Sequence, residues 1–220
     1  MNAQTERLSC TGPAGAIEVL RDRPAPGAAV RGVAVIAHPH PLYQGTMDNK
    51  VVQTLARAFV ACGFEAVRFN FRGVGASAGA YDEGRGELED MLAVVRQAAP
   101  TGPLALAGFS FGAFVASHAL ARLWSERRVE RAILVGTAAS RFVVAEVPPE
   151  AHQATLVLHG EHDDTVPLES VMDWARPQQL PVTVVPGGSH FFHGQLPLLK
   201  SIAMRHLRPG DDAVPEQDAP

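Results

Sequence analysis

The sequence contains little of what marks secreted, disulfide-rich or nucleic-acid-binding proteins. Only two of its 220 residues are cysteines, Cys10 and Cys62, and they lie far apart, so we expect free structural thiols and no disulfide framework. The formal net charge is -4, and the arginines are scattered along the chain. No cluster of basic residues is therefore present to bind nucleic acid or anionic lipid.

Long apolar runs and targeting signals are also missing. No apolar stretch reaches the ~18 residues needed to cross a bilayer. Residues 1–7 lack the basic start and apolar core of a secretory signal. We therefore expect a cytoplasmic protein that interacts with no membrane.

The remaining composition is that of an ordinary globular α/β protein. Hydrophobic residues make up 46% of the chain and charged residues 19%. Short apolar runs alternate with helical patterns, which predicts a mostly parallel sheet with helices on both faces. We expect one domain over residues 1–207, two early edge strands at 6–10 and 16–20, and a disordered tail over 208–220. The later strands are predicted at 33–37, 66–71, 104–107, 132–135, 156–158 and 182–185, and the helices at 51–60, 88–98, 111–124 and 198–207.

Two segments have the pattern Gly-x-Ser-x-Gly, but only residues 108–112 connect a predicted strand directly to a predicted helix. A sharp turn of this kind lifts the hydroxyl of its central residue, Ser110, clear of the sheet. Gly108 and Gly112 leave room for the two chain segments to pass each other. Ser110 is therefore the predicted nucleophile.

The second segment, residues 75–79, leads into a stretch without helical periodicity, so its Ser77 is predicted to lie in a loop. Its glycines also fit a permissive dinucleotide-binding pattern. That pattern requires an acidic residue at the end of a second strand, whereas Glu89 and Asp90 lie inside a predicted helix. We therefore predict no cofactor.

A serine nucleophile needs a base and an acid that orients the base. Both are available after predicted strands: Asp163 and Asp164 follow the strand at 156–158, and His190 follows the strand at 182–185. The order serine, acid, histidine is that of α/β-hydrolases. Spacing alone leaves the choice between the two aspartates open.

These motifs together resemble the α/β-hydrolase superfamily, and within it the small bacterial serine hydrolases that have no lid. The resemblance extends from His38 to Leu207 and includes residues 38–41, which read His-Pro-His-Pro, and residues 69–77. By this resemblance Asp163 is the acid. The connection 138–154 between two predicted strands is too short for a helical lid subdomain.

An oxyanion hole needs two backbone N–H groups. Phe111, next to the nucleophile, provides one, and the loop after the strand at 33–37 should provide the other. Proline has no N–H, so His40 is the expected donor in that loop and Leu42 the alternative. The side chains that could line an acyl site are Leu42, Tyr43, Phe109, Phe111, Phe191 and Phe192.

The sequence contains nine histidines, of which three close pairs invite a metal hypothesis: His38 with His40, His159 with His162, and His190 with His193. None forms a recognised zinc motif, so no metal is predicted. We expect a serine hydrolase that cleaves a small ester or thioester through an acyl-enzyme. The alternatives are an amidase or peptidase with the same triad, and a weakly catalytic binder of a small ligand.

Overall fold

The structure of the protein is a computed structural model that describes residues 5–127 and 129–208. Eight strands in these segments form one sheet with the order β1-β2-β4-β3-β5-β6-β7-β8. β1 pairs antiparallel with β2, and β2 pairs antiparallel with β4. The pairs from β4 through β8 are parallel, which confirms the predicted sheet type. The strands are β1 (Thr5–Gly12), β2 (Gly15–Asp22), β3 (Gly32–Ala37), β4 (Phe64–Phe69), β5 (Leu104–Phe109), β6 (Val129–Val135), β7 (Thr155–Gly160) and β8 (Val182–Val185).

Helices cover both faces of this sheet. α1 and α5 pack on one face, and α2, α3 and α4 pack on the other. The parallel strands β3 to β8 contribute residues to both apolar layers, so they read as short continuous apolar runs. None of the helices in the described segments has both the length and the apolar character to cross a bilayer. The helices are α1 (Lys50–Ala61), α2 (Arg85–Ala98), α3 (Phe111–Leu123), α4 (Leu168–Ala175) and α5 (Leu196–Leu207).

Three details differ from the sequence expectation. β2 is an interior strand, because β4 covers its second edge. The strand expected over 66–71 begins at Phe64 and ends at Phe69, because its ladder with β3 starts at the pair of Phe64 and Gly32. α4 was not predicted, although its apolar residues recur at helical spacing; only two of its eight residues, Val171 and Ala175, are buried.

The connection between β6 and β7 carries no helical lid. The segment from Ala138 to Ala154 contains a single 3₁₀ turn, Pro149–Ala151, and no longer helix. The expected absence of a helical lid at this connection is therefore confirmed. Of the tail predicted over 208–220, Arg208 follows α5, and residues 209–220 lie outside the described residues.

Candidate active site

Ser110 is the single residue between β5 and α3. Its backbone has φ 56° and ψ -116°, a conformation that costs a residue with a side chain about 1–3 kcal/mol. The Ser110 N–H donates to the carbonyl oxygen of Val135 in β6 at 2.8 Å, which holds the turn against the neighbouring strand. The strained turn predicted from the sequence pattern is therefore present at Ser110.

The two glycines that flank Ser110 are required by backbone contacts. A Cβ atom on Gly108 would lie 2.1 Å from the carbonyl oxygen of Gly112. A Cβ atom on Gly112 would lie 2.4 Å from the carbonyl oxygen of Ala37 at the end of β3. The start of α3 therefore passes so close to β3 and β5 that neither position accepts a side chain.

His190 and Asp163 meet at the same edge of the sheet. Asp163 follows β7, and His190 follows β8. His190 Nδ1 lies 2.7 Å from Asp163 Oδ2, and both side chains are buried. Asp164 is exposed, and its Oδ1 accepts a hydrogen bond from Thr165 Oγ1 at 3.3 Å. Of the two aspartates that the sequence left open, the structure places Asp163 against His190.

The second carboxylate oxygen of Asp163 fixes the orientation of its side chain. Oδ1 accepts hydrogen bonds from the N–H groups of Thr165 at 3.0 Å and Val166 at 2.7 Å. Burial alone would raise the pKa of Asp163, but the hydrogen bonds from His190 and Val166 outweigh burial, so the pKa is lowered. Asp163 therefore stays ionised at neutral pH and holds the proton of His190 on Nδ1.

His159, in β7, is a second histidine next to the Asp163 carboxylate. Its Nε2 lies 2.9 Å from the Val166 carbonyl oxygen and 3.5 Å from Asp163 Oδ2. Because a carbonyl only accepts, Nε2 carries the proton. Burial lowers the pKa of His159, so this buried ring remains neutral at physiological pH.

The His190 ring occupies a closely fitted space. Its centroid is 4.9 Å from that of Phe109, and a Cβ atom on Gly136 would lie 3.3 Å from His190 Cε1. Ser110 lines the same cavity as His190, but the Ser110 hydroxyl makes no hydrogen bond with any residue in the two described segments. Contacts between nucleophile and base commonly tighten only when substrate binds.

Two backbone N–H groups remain available beside Ser110. The N–H groups of Phe111 and His40 donate to no acceptor within residues 5–127 and 129–208. The N–H of Leu42, the alternative donor, is already bonded to His40 Nδ1 at 3.2 Å. Phe111 and His40 are therefore the better candidates for an oxyanion hole.

His38 determines how the peptide between Pro39 and His40 is oriented. Its Nε2 accepts a hydrogen bond from the Phe71 N–H at 3.0 Å, so the proton is on Nδ1, which donates to the Pro39 carbonyl oxygen at 2.6 Å. The N–H of a trans peptide points opposite to its carbonyl. The His40 N–H is therefore directed away from the buried His38 ring. This role was not predicted, because no sequence pattern distinguishes a histidine that orients a neighbouring peptide from one that is simply buried.

The cavity that contains Ser110 and His190 has a volume of about 490 Å³. Its lining includes the aromatic rings of Tyr43, Phe111, Phe142 and Phe191. Tyr43, Phe111 and Phe191 were expected there, whereas Phe142 was not.

Three residues proposed from the sequence to line the acyl site lie elsewhere. Leu42 is 67% exposed on the 3₁₀ turn Pro41–Tyr43, outside the cavity lining. Phe109 is fully buried behind His190. Phe192 has φ 51°, which turns it into the core beneath the site. None of the three therefore belongs to the cavity lining, because strand and turn geometry point these side chains away from it.

The remaining sequence candidates have structural partners. The Ser77 hydroxyl donates to the Asn70 carbonyl oxygen at 2.7 Å and accepts from the Glu18 N–H at 2.9 Å, so it ties a loop to β2. Within the part of the chain that the structure describes, no group of three or more histidine, cysteine, aspartate or glutamate side chains could hold a metal ion.

Comparisons with known proteins agree with this fold. A model of the family described as alpha/beta hydrolase fold matches residues 44–154. An α/β serine hydrolase without a lid from Xanthomonas campestris is 38% identical, with a TM-score of 0.82 over 94% of this chain and 95% of its own. A serine hydrolase homologue from Coxiella burnetii is 39% identical, with a TM-score of 0.77 over 94% of this chain and 98% of its own.

A relative with no described activity is also similar. An uncharacterized protein of Rickettsia prowazekii (strain Madrid E) is 43% identical over 94 residues. These residues span 41% of this chain and 40% of the Rickettsia protein. This match therefore concerns less than half of either chain.

Proposed function

The chain belongs to the α/β-hydrolase fold family, and on that premise we propose that it is a serine hydrolase that cleaves a carboxylic ester or thioester through an acyl-enzyme on Ser110. The observation that supports the proposal most directly is the 2.7 Å contact between His190 Nδ1 and Asp163 Oδ2, beside the strained turn of Ser110. A base oriented by a buried carboxylate is what a serine nucleophile requires.

In the first half of the reaction Ser110 Oγ attacks the carbonyl carbon, and His190 Nε2 takes the hydroxyl proton. The charge that develops on the carbonyl oxygen is stabilised by the N–H groups of Phe111 and His40. The bond to the alcohol or thiol then breaks, and His190 returns its proton to the leaving group. Asp163 stabilises the imidazolium while it exists.

In the second half a water molecule attacks the acyl-Ser110 carbonyl carbon, and His190 Nε2 takes a proton from that water. The tetrahedral species collapses, the bond to Ser110 Oγ breaks, and His190 protonates the serine oxygen. The products are a carboxylic acid and free enzyme. No electron transfer or co-reactant other than water is required.

The experiment is a panel of matched acyl esters, thioesters and amides assayed with the wild-type protein, Ser110→Ala and Ser77→Ala. Ser77→Ala is the matched control, because it removes a buried hydroxyl that does not line the cavity. Losing its hydrogen bond should lower the free energy of unfolding by about 1 kcal/mol. We expect Ser110→Ala to lose ester and thioester turnover by several orders of magnitude and folded Ser77→Ala to keep most of it. Faster amide than ester turnover would point to an amidase, and equal losses in both variants would exclude Ser110 as the nucleophile.

A further inference from the structure

The cavity around Ser110 carries a positive charge without a negative one. Of the residues that line it, Arg141 alone carries a permanent charge, and none is an aspartate or a glutamate. The chain as a whole has a formal net charge of -4, so this lining differs in sign from the molecule. An anionic group entering the cavity would therefore meet one cation and no fixed carboxylate within the lining.

The Arg141 guanidinium is unpaired within the part of the chain that the structure describes. It makes no hydrogen bond or salt bridge with any side chain or carbonyl in residues 5–127 and 129–208. Glu83 shares a neighbouring cavity with Arg141, but its carboxylate pairs with Arg85 at 3.2 Å. All the N–H donors of the Arg141 guanidinium are therefore free to bind a ligand.

Arg141 is also held in place at its backbone. The N–H groups of Arg141 and Phe142 both donate to the Ala138 carbonyl oxygen, at 3.2 and 3.1 Å, in the turn after β6. The Phe142 ring stacks on Phe114 at 4.7 Å and meets Phe111 edge to face at 5.2 Å. The turn that carries Arg141 is therefore packed against the residue that follows the nucleophile.

The positive charge of Arg141 acts on the His40 ring, which lines the same cavity. Burial, followed by the positive charge of Arg141, lowers the pKa of the His40 ring. His40 provides one of the proposed oxyanion donors. Arg141 also lines the same cavity as Ser110 and His190, so a substrate bound beside Ser110 shares that cavity with the guanidinium.

We propose that Arg141 binds an anionic group, a carboxylate or a phosphate, on the substrate that Ser110 attacks. The proposal rests on the proposed ester or thioester hydrolysis and specifies its substrate class. A guanidinium fork matches the paired oxygens of either anion, and both are charged at neutral pH. The neutral aromatic walls accept the uncharged part of the same substrate.

The test compares anionic esters with neutral esters of similar shape. The acyl-side pair is monophenyl adipate and phenyl hexanoate. On the alcohol side, the anionic esters 4-acetoxybenzoate and 4-acetoxyphenyl phosphate are each compared with the neutral ester 4-acetoxybenzamide. The measured quantity is the ratio of kcat/KM for the anionic ester to kcat/KM for its neutral counterpart. The pair that gives the larger ratio identifies which end of the substrate and which anion Arg141 contacts.

The variants are Arg141→Gln, Arg141→Lys and the control Arg96→Gln, which removes the same charge at an exposed position lining a different cavity. We expect Arg141→Gln to lower the ratio about tenfold, near the low end for a hydrogen bond to a charged group. Arg141→Lys should keep part of the ratio, and Arg96→Gln all of it. High salt should lower the wild-type ratio. An unchanged ratio in Arg141→Gln, or an equal fall in Arg96→Gln, would overturn the proposal.

A binding measurement separates this proposal from the proposed reaction. Ser110→Ala protein, with and without Arg141→Gln, is titrated calorimetrically with monophenyl adipate. Hydrolysis by the wild type with no effect of Arg141→Gln on rate ratio or binding would refute the anion site and leave the reaction standing. Binding that depends on Arg141, without hydrolysis by the wild type, would refute the reaction and leave the anion site standing.

Discussion

His38 donates a hydrogen bond from Nδ1 to the carbonyl oxygen of Pro39 at 2.6 Å. This contact fixes the peptide whose N–H belongs to His40, a proposed oxyanion donor. The His38 ring does not itself line the cavity, so it acts as a positioning residue through that peptide.

The first prediction concerns His38. His38→Leu removes the donor to Pro39 and should lower kcat about a hundredfold with little change in KM, as expected when an oxyanion donor is lost. His38→Asn keeps a donor near the Nδ1 position and should retain kcat within about tenfold of wild type. Both variants leave the Phe71 N–H unbonded, so their losses of stability are similar and cannot explain a difference in kcat. Equal kcat values in the two variants would contradict the positioning role.

The second prediction separates the two neighbouring aspartates. Asp163→Asn should lower kcat by roughly ten-thousandfold, because an amide cannot hold the proton of His190 on Nδ1 and stabilise its charged form. Asp164→Asn changes an exposed side chain and serves as the matched control, with kcat within about twofold of wild type. Steady-state kinetics on both purified variants provides the comparison. A larger loss in Asp164→Asn would move the acid by one residue.

The third prediction concerns stability as a function of pH. Burial lowers the pKa of His38 to about 4, while the unfolded ring titrates at about 6.5. Between these values the unfolded chain binds more protons at this ring, so the free energy of unfolding falls as the pH falls through this window. The full shift corresponds to about 3 kcal/mol.

Urea denaturation of wild type and His38→Asn at pH 7, 6, 5 and 4 measures this contribution. The stability advantage of the wild type should shrink by about 3 kcal/mol toward pH 4, since the variant has no imidazole to protonate at this position. Burial also lowers the pKa values of His159 and His206, and these rings contribute equally to both proteins. A constant difference across the series would show that His38 is not buried in its neutral form.

The fourth prediction concerns acyl chain length. The cavity of about 490 Å³ is covered by no helix from the connection between β6 and β7. Additional methylenes should therefore gain less than the ~0.8 kcal/mol each that full burial provides. We expect kcat/KM for a series of phenyl esters to level off or fall beyond short chains. A steep rise toward long chains, or a jump in rate when substrate forms micelles, would reveal an apolar tunnel or a mobile cover.

The sequence identified the parts of the site that local geometry dictates. Ser110 was recognisable because Gly108 and Gly112 must both lack side chains at a strand-to-helix turn. The sheet was recognisable because strands buried on both faces read as apolar runs. Asp163 and His190 were found because they follow the ends of adjacent strands, where parallel topology brings loops together.

The missed parts of the site depend on contacts that no spacing encodes. Arg141 and Phe142 reach the cavity from a connection that follows β6 and has no motif. Phe191 and Phe192 are adjacent, yet only Phe191 faces the cavity, because the positive φ of Phe192 directs the second ring into the core. The role of His38 depends on which of its two ring nitrogens carries the proton. The hydrogen bond from the N–H of Phe71, just after β4, decides this, and sequence spacing does not reveal it.

The most direct test of the central claim is mass spectrometry of the covalent intermediate. Wild type, Ser110→Ala and Ser77→Ala are mixed with a phenyl ester or an active-site-directed fluorophosphonate, quenched in acid, weighed intact and mapped by peptide. The wild type and Ser77→Ala should each gain one adduct located on Ser110, and Ser110→Ala should gain none. An adduct on another residue, an adduct that persists in Ser110→Ala, or no adduct in a wild type that turns over ester would contradict the mechanism.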